Sequence, residues 1–202
     1  MASEPMRDPV KDHLLTPKNS ALIIIDYQPV QVSSIASMDK RALVANIVAV
    51  VRTAKLFQLP CVLSTVNVKT GINQPTIHQV QDEFRGIEPL DRTTINAWED
   101  REFRKAVEAT GRKKLIMTAL WTEACLCFPT LDAIRDGYEV YPVMDAVGGT
   151  SVEAHRLGHD RMVQAGARPV SWVQMACELQ RDWARKETSA EFAKIVFSAE
   201  GD

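Results

Sequence analysis

The chain has 202 residues, 46% of them hydrophobic, which suits one domain with a sizeable core. Its 24 basic and 26 acidic residues leave a formal charge of -2, with Lys and Arg interspersed among Asp and Glu, so nucleic acid is not an expected partner. No apolar run approaches the roughly 18 residues of a membrane span, and the start MASEPMRDPVKDH lacks the apolar core of an export signal, so membrane association is not expected and a cytoplasmic location is.

The first element is SALIIID at 20–26, an aliphatic run of strand length that is apolar on both faces and reads as a buried parallel strand. Leu43, Ile47, Val50, Val51 and Ala54 then recur at helical spacing, and Pro60 precedes a second strand, CVLSTV at 61–66. Residues 67–98 carry Gly71, Pro75, Gly86 and Pro89 and read as irregular, with room for a short strand near 87–92. Phe103, Ala106 and Val107 suit a helix stopped by Gly111, followed by a strand KLIMTAL at 114–120. TEACLCFPTLDAIRDG reads as helix, YEVYPVMDA as strand, 152–165 as helix ending near Gly166, ARPVSWV at 167–173 as strand, and a last helix runs through Trp183.

This alternation predicts a doubly wound, mostly parallel sheet with helices on both faces. Residues 1–19 read as an N-terminal extension, 20–186 as the domain, and 187–202 as a tail. Phe192, Ile195, Val196 and Phe197 suggest that the tail docks, on this chain or a neighbouring subunit.

Two residues stand where chemistry is expected. Asp26 ends the first buried strand, at the edge where parallel sheets bind ligands, and is a candidate general base or a polar strand exit bonded to nearby backbone. Cys125 follows the strand ending at Leu120, with Thr122 as a candidate N-cap. In a first helical turn the free N–H groups would favour thiolate, lowering its pKa from about 8.5, and would also hold an oxyanion. Spacing alone leaves Cys125 open between that role and a small core residue like Cys61 and Cys177. Cys127 lies about 200° further round a helix, so only one of the two thiols is expected to face the crevice. Pro129, lacking an N–H, is expected to kink the helix start.

The four cysteines read as free thiols, without a CxxC pair or a neighbouring His. His155 and His159 share a helix face in AHRLGHDR, but no Glu of a metalloprotease motif lies between them and Gly158 weakens the helix, so solvated histidines are expected.

IIIDYQ, the INAW segment at 95–98 and LIMTALWTEACLCFPTLDAIRDGYEV together resemble the isochorismatase-like hydrolases, in particular their YcaC-type branch, over about residues 20–185. The resemblance implies a catalytic triad of Asp26, Arg92 and Cys125, with Asp26 moving the proton and Cys125 forming an acyl enzyme. It further implies a cis peptide between Leu120 and Trp121, an oxyanion hole from the N–H groups of Trp121 and Cys125, and a pocket bordered by Gln28, Trp98 and Trp121.

Arg92 stands where most relatives have Lys; it offers charge but cannot shuttle protons. The segment TVNVKTGINQ lacks the Asp and His pair of the metal-dependent nicotinamidase branch, so no metal and no other cofactor is expected. A thiol at 125 argues against vinyl ether cleavage and leaves a small amide-like substrate. A homo-oligomer, in that branch an octamer, is also implied. The competing readings are a catalytically idle binding protein on the same fold and a thiol redox sensor.

Overall fold

A computed structural model describes residues 7–84 and 86–198. Five parallel strands, β1 (Ser20–Ile25), β2 (Cys61–Val66), β3 (Leu90–Arg92), β4 (Lys114–Ala119) and β5 (Glu139–Pro142), form a sheet of order β3-β2-β1-β4-β5. The chain works outward from β1 to β3, then returns to lay β4 against the other side of β1. That reversal creates a switch point between β1 and β4, where the loops leaving both strands part and a crevice opens at the carboxyl edge.

The central strands are buried on both sides, and alternate residues divide between two cores. Leu22 and Ile24 point to one, packed by α2 (Lys40–Leu56), α7 (Trp172–Gln180) and α8 (Ser189–Ser198); Ala21, Ile23 and Ile25 point to the other, packed by α4 (Arg101–Ala109), α5 (Cys127–Arg135) and α6 (Val152–Gln164). The sheet is therefore wound on both faces, as expected. The two remaining helices, α1 (Pro29–Ser33) and α3 (His78–Gln81), are short and lie in the loops after β1 and β2.

The expected elements recur with local differences. Asp39 caps α2 by accepting the N–H groups of Arg41 and Ala42, and Leu43, Ile47, Val50, Val51 and Ala54 all face inward. The short strand expected near 87–92 is β3. ARPVSWV is not a strand: only Val170 bridges to Val143, and Ser171 caps α7 through the Gln174 N–H, so Trp172 and Val173 are already helical. The helix expected to run through Trp183 is α7, which ends at Gln180, because Arg181 takes a left-handed φ of 61° and turns the chain. The tail docks in cis: α8 buries Phe192 and Ile195 in the core shared with α2 and α7. Residues 7–19 are tied to the amino edge of the sheet, where the Lys114 ammonium donates to the carbonyls of Asp12, His13 and Leu14. Among the described residues, no helix is long and apolar enough to cross a membrane.

Candidate active site

Asp26 follows β1 with a left-handed φ of 62°, a conformation that Asp tolerates better than most side chains. Its N–H still bonds the Ser64 carbonyl of β2, so the backbone stays in the sheet and the side chain turns into the crevice. Arg92, the last residue of β3, reaches across the end of β2 to meet it. Arg92 Nη1 donates to Asp26 Oδ1 at 2.7 Å and Nη2 to Oδ2 at 2.8 Å, a bidentate pair with side chains 1% and 0% exposed. The same guanidinium donates to Ser64 Oγ, the Thr65 carbonyl and the Ile95 carbonyl. Arg92 thus joins the exits of three strands and the loop after β3.

Cys125 comes from the far side of the switch point. The Leu120–Trp121 peptide is cis, as the resemblance implies, and the turn Thr122–Leu126 follows. This turn is wider than an α-helix: the Leu126 N–H bonds the Trp121 carbonyl, five residues back. Thr122 does not cap it. The Thr122 hydroxyl instead lies 2.8 Å from His155 Nδ1, and no side chain caps the turn at Trp121.

The Cys125 thiol lies beside the Asp26 carboxylate and the Trp121 amide, close enough for each to act on its ionisation. Of the two neighbouring thiols, Cys125 is the one at the site; Cys127 is buried in the apolar core.

Electrostatics at the site differ from the expectation of a thiol lowered by a helix start. Burial, then the Asp26 charge, push the Cys125 thiol up to about 12, against the pull of Arg92 and of the Trp121 N–H. The desolvation that places the sulfur against Asp26 outweighs the local amide dipoles. Burial also raises the Asp26 carboxyl, opposed by the Arg92 bonds and charge and by the thiol, which makes it a stronger proton acceptor than an exposed carboxylate. Arg92 stays charged, because the Asp26 contacts outweigh its own desolvation.

Alkylation of Cys125 by iodoacetamide should therefore keep rising with pH above 9 and show no plateau near 8.5; mass spectrometry of the adduct against pH measures this. The fold should lose stability over the same interval, since the neutral thiol is favoured in the folded state up to about 12 but only to about 9.0 in the unfolded chain.

The expected pocket residues divide. Gln28 is fully buried and its amide is committed: it accepts from the Val66 N–H and donates to the carbonyls of Val66 and Gln74, bracing the loop after β2. Trp121 is half-buried beside the site, with its indole N–H on Ser34 Oγ at 2.6 Å. Trp98 is buried in the cluster that also holds Cys125. The Asn96 side chain caps the turn Ala97–Glu99 and swings Trp98 into the helical layer, where its ring meets Phe103 and Tyr138 edge-on and its N–H bonds Asp136 at the end of α5.

His155 is half-buried and held towards its neutral form by desolvation and by His159, while His159 pairs with Asp160. Among the described residues, no group of three or more His, Cys, Asp or Glu could hold a metal ion.

Gly158 has a role that helix propensity hides. A Cβ there would stand 2.9 Å from Glu123 Cα and 3.1 Å from Glu123 N, in the backbone of the turn that carries Cys125. Gly158→Ala gains about 1 kcal/mol of helix propensity but costs about 1–3 kcal/mol in overpacking against backbone that has no rotamer to yield. The second effect should win, lowering the thermal midpoint by a few degrees. An unchanged midpoint would show that α6 and the turn separate freely.

Fold and site together define an α/β protein whose parallel sheet brings a carboxylate, a guanidinium and a thiol to one switch point. Comparison with known proteins narrows that class. Residues 20–174 match the isochorismatase domain. Probable hydrolase YcaC of Escherichia coli (strain K12) is 36% identical over 170 residues, 84% of this chain and 81% of that one.

Two solved structures are similar along most of their length. YcaC from Pseudomonas aeruginosa with hexane-2,5-diol and covalent acrylamide has a TM-score of 0.83 at 30% identity, covering 92% of this chain and 96% of that one. The Escherichia coli YcaC gene product, described as an octameric hydrolase of unknown specificity, has a TM-score of 0.83 at 31% identity, covering 98% of each chain. The chain belongs to the isochorismatase-like hydrolases, in their YcaC-type branch.

Proposed function

We propose that the protein is a cysteine hydrolase that cleaves a small amide-like carbon–nitrogen bond through a covalent acyl enzyme on Cys125. The observation that carries this reading is the contact of the Cys125 thiol with Asp26 while Arg92 grips both oxygens of the same carboxylate.

A thiol pushed up to about 12 is protonated at rest, so the proton leaves as the sulfur attacks. Asp26 accepts that proton while the Cys125 sulfur bonds the carbonyl carbon, and the N–H groups of Trp121 and Cys125 take the resulting oxyanion. Asp26 returns the proton to the leaving nitrogen, the carbon–nitrogen bond breaks and a thioester remains. Water then attacks the thioester, giving one proton to Asp26; the carbon–sulfur bond breaks, Asp26 returns that proton to the sulfur, and the acid and the free thiol are released. Arg92 takes no part in proton transfer; its fixed charge stabilises ionised Asp26 between steps.

Covalent acrylamide in the Pseudomonas aeruginosa relative fits a thiol-type nucleophile, because acrylamide is an electrophile of the kind thiols add to. The redox-sensor reading fares worse, since such thiols combine low pKa with exposure, whereas Cys125 is raised and 7% exposed. By similarity to the octameric relative, the protein is also proposed to assemble with copies of itself.

The test is a panel of small amides and thioesters incubated with the protein and with Cys125→Ala. Product release by the unaltered protein alone, with an acyl adduct on Cys125 trapped by acid quench, is the expected result. Release that persists in Cys125→Ala, or no release from any member of the panel, would sink the mechanism.

A further inference from the structure

We propose that Glu123 is a positioning residue for Cys125: one oxygen of its carboxylate grips Thr150 and thereby fixes the turn that aims the thiol at Asp26. The inference rests on the reading of Cys125 as the nucleophile.

Glu123 lies two residues ahead of Cys125 in the turn Thr122–Leu126. Its Oε1 accepts two hydrogen bonds from one residue, the Thr150 N–H at 3.0 Å and the Thr150 hydroxyl at 2.6 Å. Its Oε2 is buried without a hydrogen-bond partner among the described residues. Leaving a buried carboxylate oxygen unbonded is unfavourable, and a glutamate swung out to water would avoid that cost. The side chain is held inward by what its other oxygen does.

That grip reaches the other half of the site. Thr150 follows Gly148 and Gly149, a segment already threaded through the crevice edge. The Thr122 N–H bonds the Gly148 carbonyl at 2.9 Å, and Leu120 bridges to Gly148. On its other side, Gly149 donates to Ser37 Oγ at 2.9 Å and accepts from the Ala36 N–H at 3.0 Å.

Ala36 and Ser37 lie just beyond α1, the short helix that begins three residues after Asp26. Glu123 therefore ties the turn bearing the thiol to a segment bonded to the chain that leaves Asp26. The turn needs such a tie, because it is wound wider than an α-helix and has no side-chain cap of its own.

The test uses the full chain with Glu123→Ala and Glu123→Gln, and with Thr150→Val as a milder variant that removes the hydroxyl and keeps the N–H. Iodoacetamide alkylation of Cys125, mapped by mass spectrometry across pH, is read beside the thermal midpoint. A thiol turned away from the Asp26 charge ionises at lower pH, so Glu123→Ala should be alkylated about 10- to 100-fold faster between pH 7 and 9, with its profile moved to lower pH. Glu123→Gln should stay within about threefold of the unaltered protein, since its amide oxygen accepts the same two bonds without the charge. Thr150→Val should fall between them, and it carries the test if Glu123→Ala fails to fold.

The proposal is overturned if Glu123→Ala, or Thr150→Val in its place, changes only the midpoint and leaves the rate and its pH profile alone. It is equally overturned if Glu123→Gln departs from the unaltered rate as far as Glu123→Ala, since charge and not the grip would then be at work. Amide turnover separates this idea from the function it rests on. Turnover lost in Cys125→Ala but untouched by Glu123→Ala sinks the positioning role alone. An alkylation rate that follows Glu123 in a protein cleaving no amide sinks the hydrolase reading alone.

Discussion

Asp26→Asn is expected to reduce amide turnover by about 10²- to 10⁴-fold, the range of a lost general base, while making Cys125 ionise at lower pH than in the unaltered protein. The two effects oppose each other because Asp26 acts on the thiol in two ways. It is the acceptor for the proton, and its charge is the second largest influence, after burial, holding the thiol at about 12. Asparagine has nearly the same shape but neither accepts the proton nor carries the charge. Arg92, whose charge pulls the thiol down, would face the sulfur without its Asp26 counterion. The iodoacetamide profile should therefore move to lower pH as hydrolysis collapses. A profile that stayed in place, or moved up, would show that the carboxylate charge does not act on the sulfur.

Arg92→Ala should be the most damaging single change to the fold. It would strand Asp26 ionised and 0% exposed, and breaking a buried pair from one side costs about 3–5 kcal/mol. Ser64 Oγ and the carbonyls of Thr65 and Ile95 would lose a donor as well. At about 2–4 °C per kcal/mol for a chain of this size, the thermal midpoint should fall by roughly 6–20 °C. The thiol should also rise further, slowing alkylation between pH 7 and 9, because the Arg92 charge that lowers it is gone. Arg92→Lys keeps the charge but not the planar fork, so it should be milder on both counts. Differential scanning calorimetry with parallel alkylation measures the pair of effects, and a midpoint for Arg92→Ala within a degree of the unaltered protein would show that the bidentate pair is not structural.

What could be read in the sequence follows from what each signal depends on. β1, β2 and β4 are aliphatic runs whose burial on both faces is written into composition, and the spacing from Leu43 to Ala54 leaves α2 no other inward face. ARPVSWV misled because Val170 and Trp172 alternate like a strand, whereas the capping bond from Ser171 starts a helix one residue later.

For Asp26 and Cys125 the sequence offered position, and the family resemblance offered partnership. Neither carried the direction of the thiol shift, because desolvation is a property of everything that closes over the sulfur and not of its helix. Gln28, Gly158 and Glu123 were opaque for a related reason. Each serves a contact between segments distant in the chain, with Val66 and Gln74, the turn Thr122–Leu126, and Thr150 respectively. The glycine in AHRLGHDR was the one usable hint, since a glycine inside a helix asks what stands too close for a methyl group.

The placement of the three groups also sets when chemistry first becomes available to the chain. Asp26, Arg92 and Cys125 are delivered by the ends of β1 and β3 and by the turn after β4, so no local stretch contains the site. Nearly one hundred residues of polymer separate carboxylate from thiol, and the guanidinium is brought to them through the pairing of β3 with β2. Nascent or partly unfolded chains accordingly hold an ordinary exposed cysteine with no acceptor beside it, and the meeting of thiol and carboxylate depends on the long-range pairings that complete the sheet.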